Sequence, residues 1–414
     1  MLLLGAGMAA LLLGAGPASA SAAGTAPTTQ AQLSRQLQRA LAHAGPQVGL
    51  LVEDLADGRR LYSRSASVAR PPASVEKLYT TVAALKLLGP SARLQTTVLG
   101  TGELQRGGVW HGNLYLHGGG DPTLGDGAWN RTYEQGRGPT MLQLAQQLQH
   151  DGIHRVTGHI FADASLFDSD RGGPLTGYRP DIPDYGGEMS ALVFDHGMST
   201  ARMSPPVFAA HELALTMRAI GDRVGAASRT RDTPSGAAQL AIVRSPPLAV
   251  LAKLMDVPSD DLFADMLAKQ LGARLLGQGT LAAGASEVEQ TIASDFGLHP
   301  LIFDGSGLDR DDRTTPSDVV TLLRRVLNTP TGKLLYAALP VVGRQGTVQY
   351  IGARTPAEGR CVAKTGTLND VTNLAGYCHA RGGRVLAFAL MIDGPANYQA
   401  LPMLSNVVAA IARY

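Results

Sequence analysis

Lysine is scarce in this chain, cysteine scarcer still, and runs of one charge are missing altogether. Lysine occurs only at positions 77, 86, 253, 269, 333 and 364, so arginine carries most of the positive charge and a motif that demands lysine is less apt to arise by chance. The net charge is +2, with no basic run and no interleaving of basic and aromatic residues, which argues against a nucleic-acid partner. Cys361 and Cys378 are the whole thiol inventory. They permit one disulfide in an oxidising compartment and, without a suitable histidine neighbourhood, make a poor zinc site. The ten histidines are scattered, and His150 and His154, though four apart, are separated by the helix-breaking Asp151-Gly152. No metal site is read from them, and no organic cofactor is implied. Gly118-Gly119-Gly120 lacks the spacing and the following helix of a dinucleotide fingerprint and reads as a turn.

Long apolar runs are also missing, apart from Leu2 to Leu13 at the start. That stretch is too short for a membrane span, and small residues follow it, with Ala18-Ser19-Ala20 offering an A-x-A cleavage site. Residues 1–23 therefore read as a signal peptide without a positive n-region, and no cysteine follows to accept a lipid. The expected location is exported, periplasmic or at the cell wall, with no stable membrane span after cleavage. Residues 24–30 read as a linker.

What is present is organised around Pro71-Pro72-Ala73-Ser74-Val75-Glu76-Lys77-Leu78-Tyr79-Thr80. Val75, Leu78, Tyr79, Val82 and Leu85 have the spacing of an apolar helix, and a serine three residues before a lysine puts hydroxyl and amine on one face. A hydroxyl beside an amine is the minimum for covalent acyl transfer, since the amine takes the proton while the oxygen attacks. The opening turn adds backbone N–H groups and a positive dipole end for an oxyanion.

Strands are expected at Val48–Val52 and Leu61–Ser67, then at Thr96–Gly100, Leu114–Leu116, Arg155–Phe161 and Gln239–Val243. Helices are expected at 30–44, 140–150, 212–220, 247–254, 261–271, 285–295 and 316–327. The C-terminal part reads as strands near 360–364, 372–380 and 384–393 and a closing helix over 398–412. Residues 168–196 and 226–237 read as irregular. With the chain turning back near residues 369–370, Cys361 and Cys378 fall almost opposite each other on antiparallel neighbours, so a cross-strand disulfide is expected.

Two further motifs follow Ser74-x-x-Lys77: Ser259-Asp260-Asp261 at the mouth of a helix and Lys364-Thr365-Gly366-Thr367 on a late strand. In this order the three form the set found in penicillin-binding proteins and β-lactamases. With Leu116–Leu124 (LHGGGDPTL), Tyr185–Leu192 (YGGEMSAL), Ser259–Leu267 (SDDLFADML), Asp304–Leu308 (DGSGL), Leu339–Thr347 (LPVVGRQGT) and Ala363–Leu368 (AKTGTL), the chain from about residue 35 onward resembles the low-molecular-mass class C penicillin-binding proteins. These are the D-alanyl-D-alanine carboxypeptidase/endopeptidase family. A class A β-lactamase is far more compact between the first two motifs, and no position offers its deacylating glutamate.

The resemblance implies an α+β fold: a transpeptidase-like domain of helices against an antiparallel sheet, built from residues 31–91 and 240–414 and split by a β-rich insertion over 92–239. It implies Ser74 as nucleophile toward peptidoglycan stem peptides, with β-lactams as inhibitors. Lys77 would be a neutral general base, its pKa lowered by desolvation and by the charge of Lys364. Ser259 would relay a proton to the leaving amine. Lys364, Thr365, Gly366 and Thr367 would hold the substrate carboxylate, and the N–H groups of Ser74 and Thr367 the oxyanion. The family's second motif is Ser-x-Asn, and here Asp261 stands at its third position. That substitution supports the competing reading, a cell-wall peptide-binding protein of weak activity that keeps the fold.

Overall fold

The computed structural model describes residues 28–172, 187–197, 203–394 and 397–414; the signal-peptide reading and the Tyr185-Gly186 part of one family segment lie outside these. In chain order, α1 (Gln30–Ala40), β1 (Val48–Asp54), β2 (Arg60–Arg64) and α2 (Lys77–Leu87) come first. The middle of the chain holds β3 (Gln95–Gln105), β4 (Val109–Gly118), α3 (Gly127–Thr132), α4 (Met141–His150), β5 (Arg155–Val156), β6 (Ile160–Asp163), α5 (Pro205–Ala219), β7 (Ala227–Thr230) and β8 (Ala238–Arg244). Then follow α6 (Leu248–Asp256), α7 (Asp261–Leu276), α8 (Leu281–Phe296), α9 (Pro316–Val326), α10 (Pro330–Ala338), β9 (Cys361–Leu368), β10 (Val371–His379), β11 (Val385–Asp393) and α11 (Asn397–Arg413).

Both ends of the chain build one five-stranded sheet in the order β2-β1-β11-β10-β9, antiparallel throughout. Its central strands are apolar on both faces, because helices cover both. Leu50, Leu374, Phe388 and Leu390 point to α1 and α11, while Leu51, Ala375, Tyr377 and Ala389 point to the α2, α8 and α9 side. Alternation along a strand divides these sets by face, each meeting a different layer. Cys361 and Cys378 are directly opposed in the β9–β10 register and joined by a disulfide.

The middle of the chain forms a second, mixed sheet in the order β7-β6-β4-β3-β8, with β5 also on β4. The β3–β4 and β3–β8 pairs are antiparallel, and β4–β5, β4–β6 and β6–β7 are parallel. Leu144 and Leu148 of α4 and Leu213 and Met217 of α5 close its core over Val98, Leu114 and Leu116. This is the α+β arrangement with a β-rich insertion that the sequence resemblance implied. Strand β8 pairs with β3, so residues 240–244 hydrogen-bond within the inserted sheet, and we place the return to the first sheet after Arg244 rather than at 240. Strand β7 forms within a stretch read as irregular, since Gly/Ser/Thr composition hides a strand whose stability comes from its neighbour.

Helix α7 is buried over its first twelve residues, Asp261 to Gly272, because it lies between the two parts. One side packs against α2 and α6 through Phe263, Ala264 and Leu267, and the other meets Phe167, Met189 and Val193 of the insertion through Leu262 and Met266. Its polar members Asp261, Asp265, Lys269 and Gln270 are buried with the apolar ones, because both parts enclose the helix.

Candidate active site

Ser74 lies on the 3-10 turn Ala73–Glu76, which runs directly into α2 with Lys77 as its first residue. Ala73 holds φ +45°, a left-handed conformation that costs a residue with a Cβ. The turn is pinned from below by Asn373 of β10, whose amide donates to Pro71 O at 2.9 Å and Pro72 O at 2.8 Å while its Oδ1 accepts from Ile392 N at 3.0 Å. Gly366 brings β9 against the same turn: a Cβ there would lie 2.4 Å from Pro72 O and 3.0 Å from Val75 N. Glycine in the third motif is thus a packing requirement.

Lys77, fully buried, donates to Ser74 Oγ at 2.9 Å, to Asp261 Oδ1 at 2.5 Å and to Ser306 O at 2.7 Å. The separation from Ser74 Oγ is within proton-transfer reach. Asp261 Oδ1 also lies 3.4 Å from Ser74 Oγ. Burial pushes the Asp261 carboxyl above its ordinary range, with the charge of Lys77 opposing.

The second motif is divided between structure and chemistry. Asp260, rather than Ser259, caps α7 by accepting from Phe263 N at 2.9 Å. Ser259 sits at φ +70°, which frees its hydroxyl to accept from Lys364 Nζ at 2.6 Å. Lys364 is fully buried on β9, and burial, reinforced by the charge of Lys77, pulls its amine down to about 7 against the opposing pull of Asp256 and Asp261. Thr365 Oγ1 donates to Thr347 Oγ1 at 2.7 Å. Ser74, Ser259, Asp261, Thr365 and Thr367 line one cavity of about 730 Å³, whose far wall is apolar through Tyr350, Ile351 and Leu401. A cavity of about 830 Å³ in the insertion, beside Arg93, Arg137 and Arg244, contains no nucleophile.

Several residues of the site escaped the sequence reading. Asp256 accepts from Thr81 Oγ1 at 2.9 Å, and burial raises its carboxyl to about 7 against the charge of Lys364. Asp304 shapes the loop that aims the Ser306 carbonyl at Lys77, accepting from Ser306 N at 2.8 Å, Gly307 N at 2.6 Å and Asp309 N at 2.8 Å. His196, from the insertion, meets Asp260 Oδ2 at 2.5 Å and so ties the insertion to the cap of α7. A polar Asn373 amid the apolar strand VTNLAGY was a legible signal; Asp256 and His196 carried none.

The sequence matches the family described as D-Ala-D-Ala carboxypeptidase 3 (S13) over residues 29–207 and 186–413. The D-alanyl-D-alanine carboxypeptidase of Actinomadura sp. (strain R39) is 28% identical, over 97% of this chain and 88% of its own length. Carboxypeptidase DacB of Mycolicibacterium smegmatis is 31% identical, over 93% of this chain and 85% of its own. Among solved structures, penicillin binding protein 4 (dacB) of Haemophilus influenzae superposes with a TM-score of 0.77 at 20% identity, covering 92% of this chain and 99% of that one. Fold, motif order and relatives agree over nearly the full length, and the chain belongs to the D-Ala-D-Ala carboxypeptidase 3 (S13) family.

Proposed function

We propose that this protein is a penicillin-sensitive serine D-Ala-D-Ala carboxypeptidase that cleaves peptidoglycan stem peptides through an acyl-enzyme on Ser74. The observation that carries the assignment is the contact of Lys77 Nζ with Ser74 Oγ at 2.9 Å, in one cleft with the Ser259–Lys364 contact of 2.6 Å. Ser74 Oγ attacks the carbonyl of the penultimate D-Ala and Lys77 receives its proton. Ser259 passes a proton to the departing D-Ala amine, with Lys364 as its partner. The N–H groups of Ser74 and Thr367 hold the oxyanion. Lys364, Thr365 and Thr367 receive the terminal carboxylate, with Gly366 letting the strand approach. Water then hydrolyses the ester.

Named carboxypeptidases among the relatives favour this enzyme over a binding protein of the same fold. A related Haemophilus influenzae structure is complexed with a β-lactam, which supports inhibition by the same class of compound. Export rests on the apolar Leu2 to Leu13 stretch and the Ala18-Ser19-Ala20 site. Among the described residues no helix is long and apolar enough to cross a membrane. Incubation with fluorescent penicillin followed by peptide mapping tests the nucleophile: label on Ser74 that disappears in Ser74→Ala is expected. Label that survives that substitution, or none on the wild type, removes Ser74 from the role.

A further inference from the structure

We propose that Glu76, Asp304 and Asp312 form a buried binding site for a hard divalent cation of calcium size, which ties the turn carrying Ser74 to the loop that contacts Lys77. The three carboxylates come from the Ala73–Glu76 turn and from both ends of the 304–312 loop, and one oxygen of each lies within 4.8 Å of the others. All three residues are buried, Glu76 and Asp312 with no exposed surface. Neither oxygen of Glu76 has a hydrogen-bond partner, and Asp312 Oδ2 has none either. No ion pair among the described residues engages any of the three.

A buried carboxylate without a donor is costly, and three together are costlier. Asp304 has its backbone donors and Asp312 Oδ1 accepts from Phe303 N at 2.8 Å, but no backbone or cationic donor reaches Glu76. Two occupants could relieve the cluster, a proton or a cation. The donor set of carboxylate oxygens suits Ca²⁺ or Mg²⁺ rather than a softer metal. Calcium–oxygen bonds of about 2.3–2.6 Å let two ligands stand about 4.6–5.2 Å apart across the ion, whereas magnesium demands about 2.0–2.1 Å and near-ideal octahedral geometry. A spread of up to 4.8 Å is wider than two magnesium–oxygen bonds and close to two calcium–oxygen bonds, which favours calcium.

The position gives the ion a consequence. Glu76 lies between Ser74 and Lys77, and Ser306, two residues after Asp304, presents its carbonyl to Lys77 Nζ at 2.7 Å. The cation would act as a positioning element, holding the nucleophile's turn against the loop, and would take no part in the chemistry of acyl transfer.

The test uses the full chain stripped with EDTA and returned to chelator-free buffer at about pH 7.5, where deprotonated carboxylates bind metal best. Titration calorimetry with CaCl₂ is expected to show one ion per chain, weaker heat with MgCl₂, and affinity that falls as the pH is lowered. Thermal unfolding should shift upward with Ca²⁺ by mass action. Glu76→Gln and Asp312→Asn should each weaken Ca²⁺ binding by about ten-fold or more and remove the thermal shift. Absence of binding and of any thermal shift in the wild type at millimolar Ca²⁺ and Mg²⁺ overturns the proposal in favour of a shared proton. Binding that survives both substitutions places the ion elsewhere, and a preference for Mg²⁺ overturns the size argument. Should Glu76→Gln fail to fold, the wild-type titration and Asp312→Asn still decide. Since binding is read without substrate, it fails or holds independently of the carboxypeptidase assignment.

Discussion

Replacing Asp261 with asparagine should move the acid limb of acylation to lower pH. Asp261 Oδ1 lies 2.5 Å from Lys77 Nζ, and both side chains are nearly inaccessible to solvent. An ionised carboxylate there favours the ammonium form of the amine it touches, and an ammonium cannot accept the Ser74 proton. At this distance and an effective dielectric of about 20, the attraction is roughly 6–7 kcal/mol. Burial, which pushes the Asp261 carboxyl above its ordinary range, offsets much of that. Each pH unit of displacement corresponds to about 1.4 kcal/mol, so even a small remainder of that attraction moves the limb measurably. Asparagine keeps the volume and can both donate and accept a hydrogen bond, but carries no charge. The assay is the second-order rate of labelling by fluorescent penicillin from about pH 5 to about pH 9, where the limbs report the essential base and acid. Asp261→Asn should be faster on the acid side, with the two profiles converging above the limb. Superimposed profiles, or a limb displaced upward, would refute the reasoning, because either result means the carboxylate does not control the base.

Three further outcomes are expected. Burial and the charge of Lys77 pull the Lys364 amine down to about 7, so KM for a carboxylate-terminated peptide should rise as pH increases through that value and the ammonium is lost; an amide-terminated analogue should show no such limb. Asn373→Ala should lower stability by about 1–3 kcal/mol in denaturant melts and slow penicillin acylation, because it strips the donors from two carbonyls under the Ser74 turn; an acylation rate equal to wild type refutes the pinning role. The unreduced, denatured protein should contain no free thiol, and replacing Cys361 and Cys378, 17 residues apart, with serine should cost about 3 kcal/mol on the chain-entropy account, read as a lower denaturation midpoint.

The elements with strong periodicity were legible before any coordinates. The apolar spacing of 316–327 and 285–295 and the Ser-x-x-Lys placement were set by local chemistry. Strand β7 was not legible, because its residues favour no structure by themselves and acquire one only by hydrogen-bonding to β6. Strand β3 runs on to Gln105, past the expected end at Gly100, because its last residues, though exposed, are held by the hairpin with β4.

What the sequence determined by itself is which chemical groups exist and which neighbours share a face: Ser74 with Lys77 on one turn, Lys364 to Thr367 on a strand, Cys361 and Cys378 on facing strands. Only the tertiary structure decided which distant groups meet. Ser259 and Asp260 both stand at the mouth of α7, yet Asp260 caps the helix and the left-handed backbone at Ser259 turns its hydroxyl to Lys364. Asp261 meets Lys77 across 184 positions of chain, and Asn373 reaches Pro72 across 301. Glu76, next to Lys77 in sequence, is sealed from water against Asp304 and Asp312 from 228 and more positions away. Periodicity reports the face a side chain occupies; the charge that faces it depends on sheet order and on how α7 is wedged between the two parts, and neither is written locally.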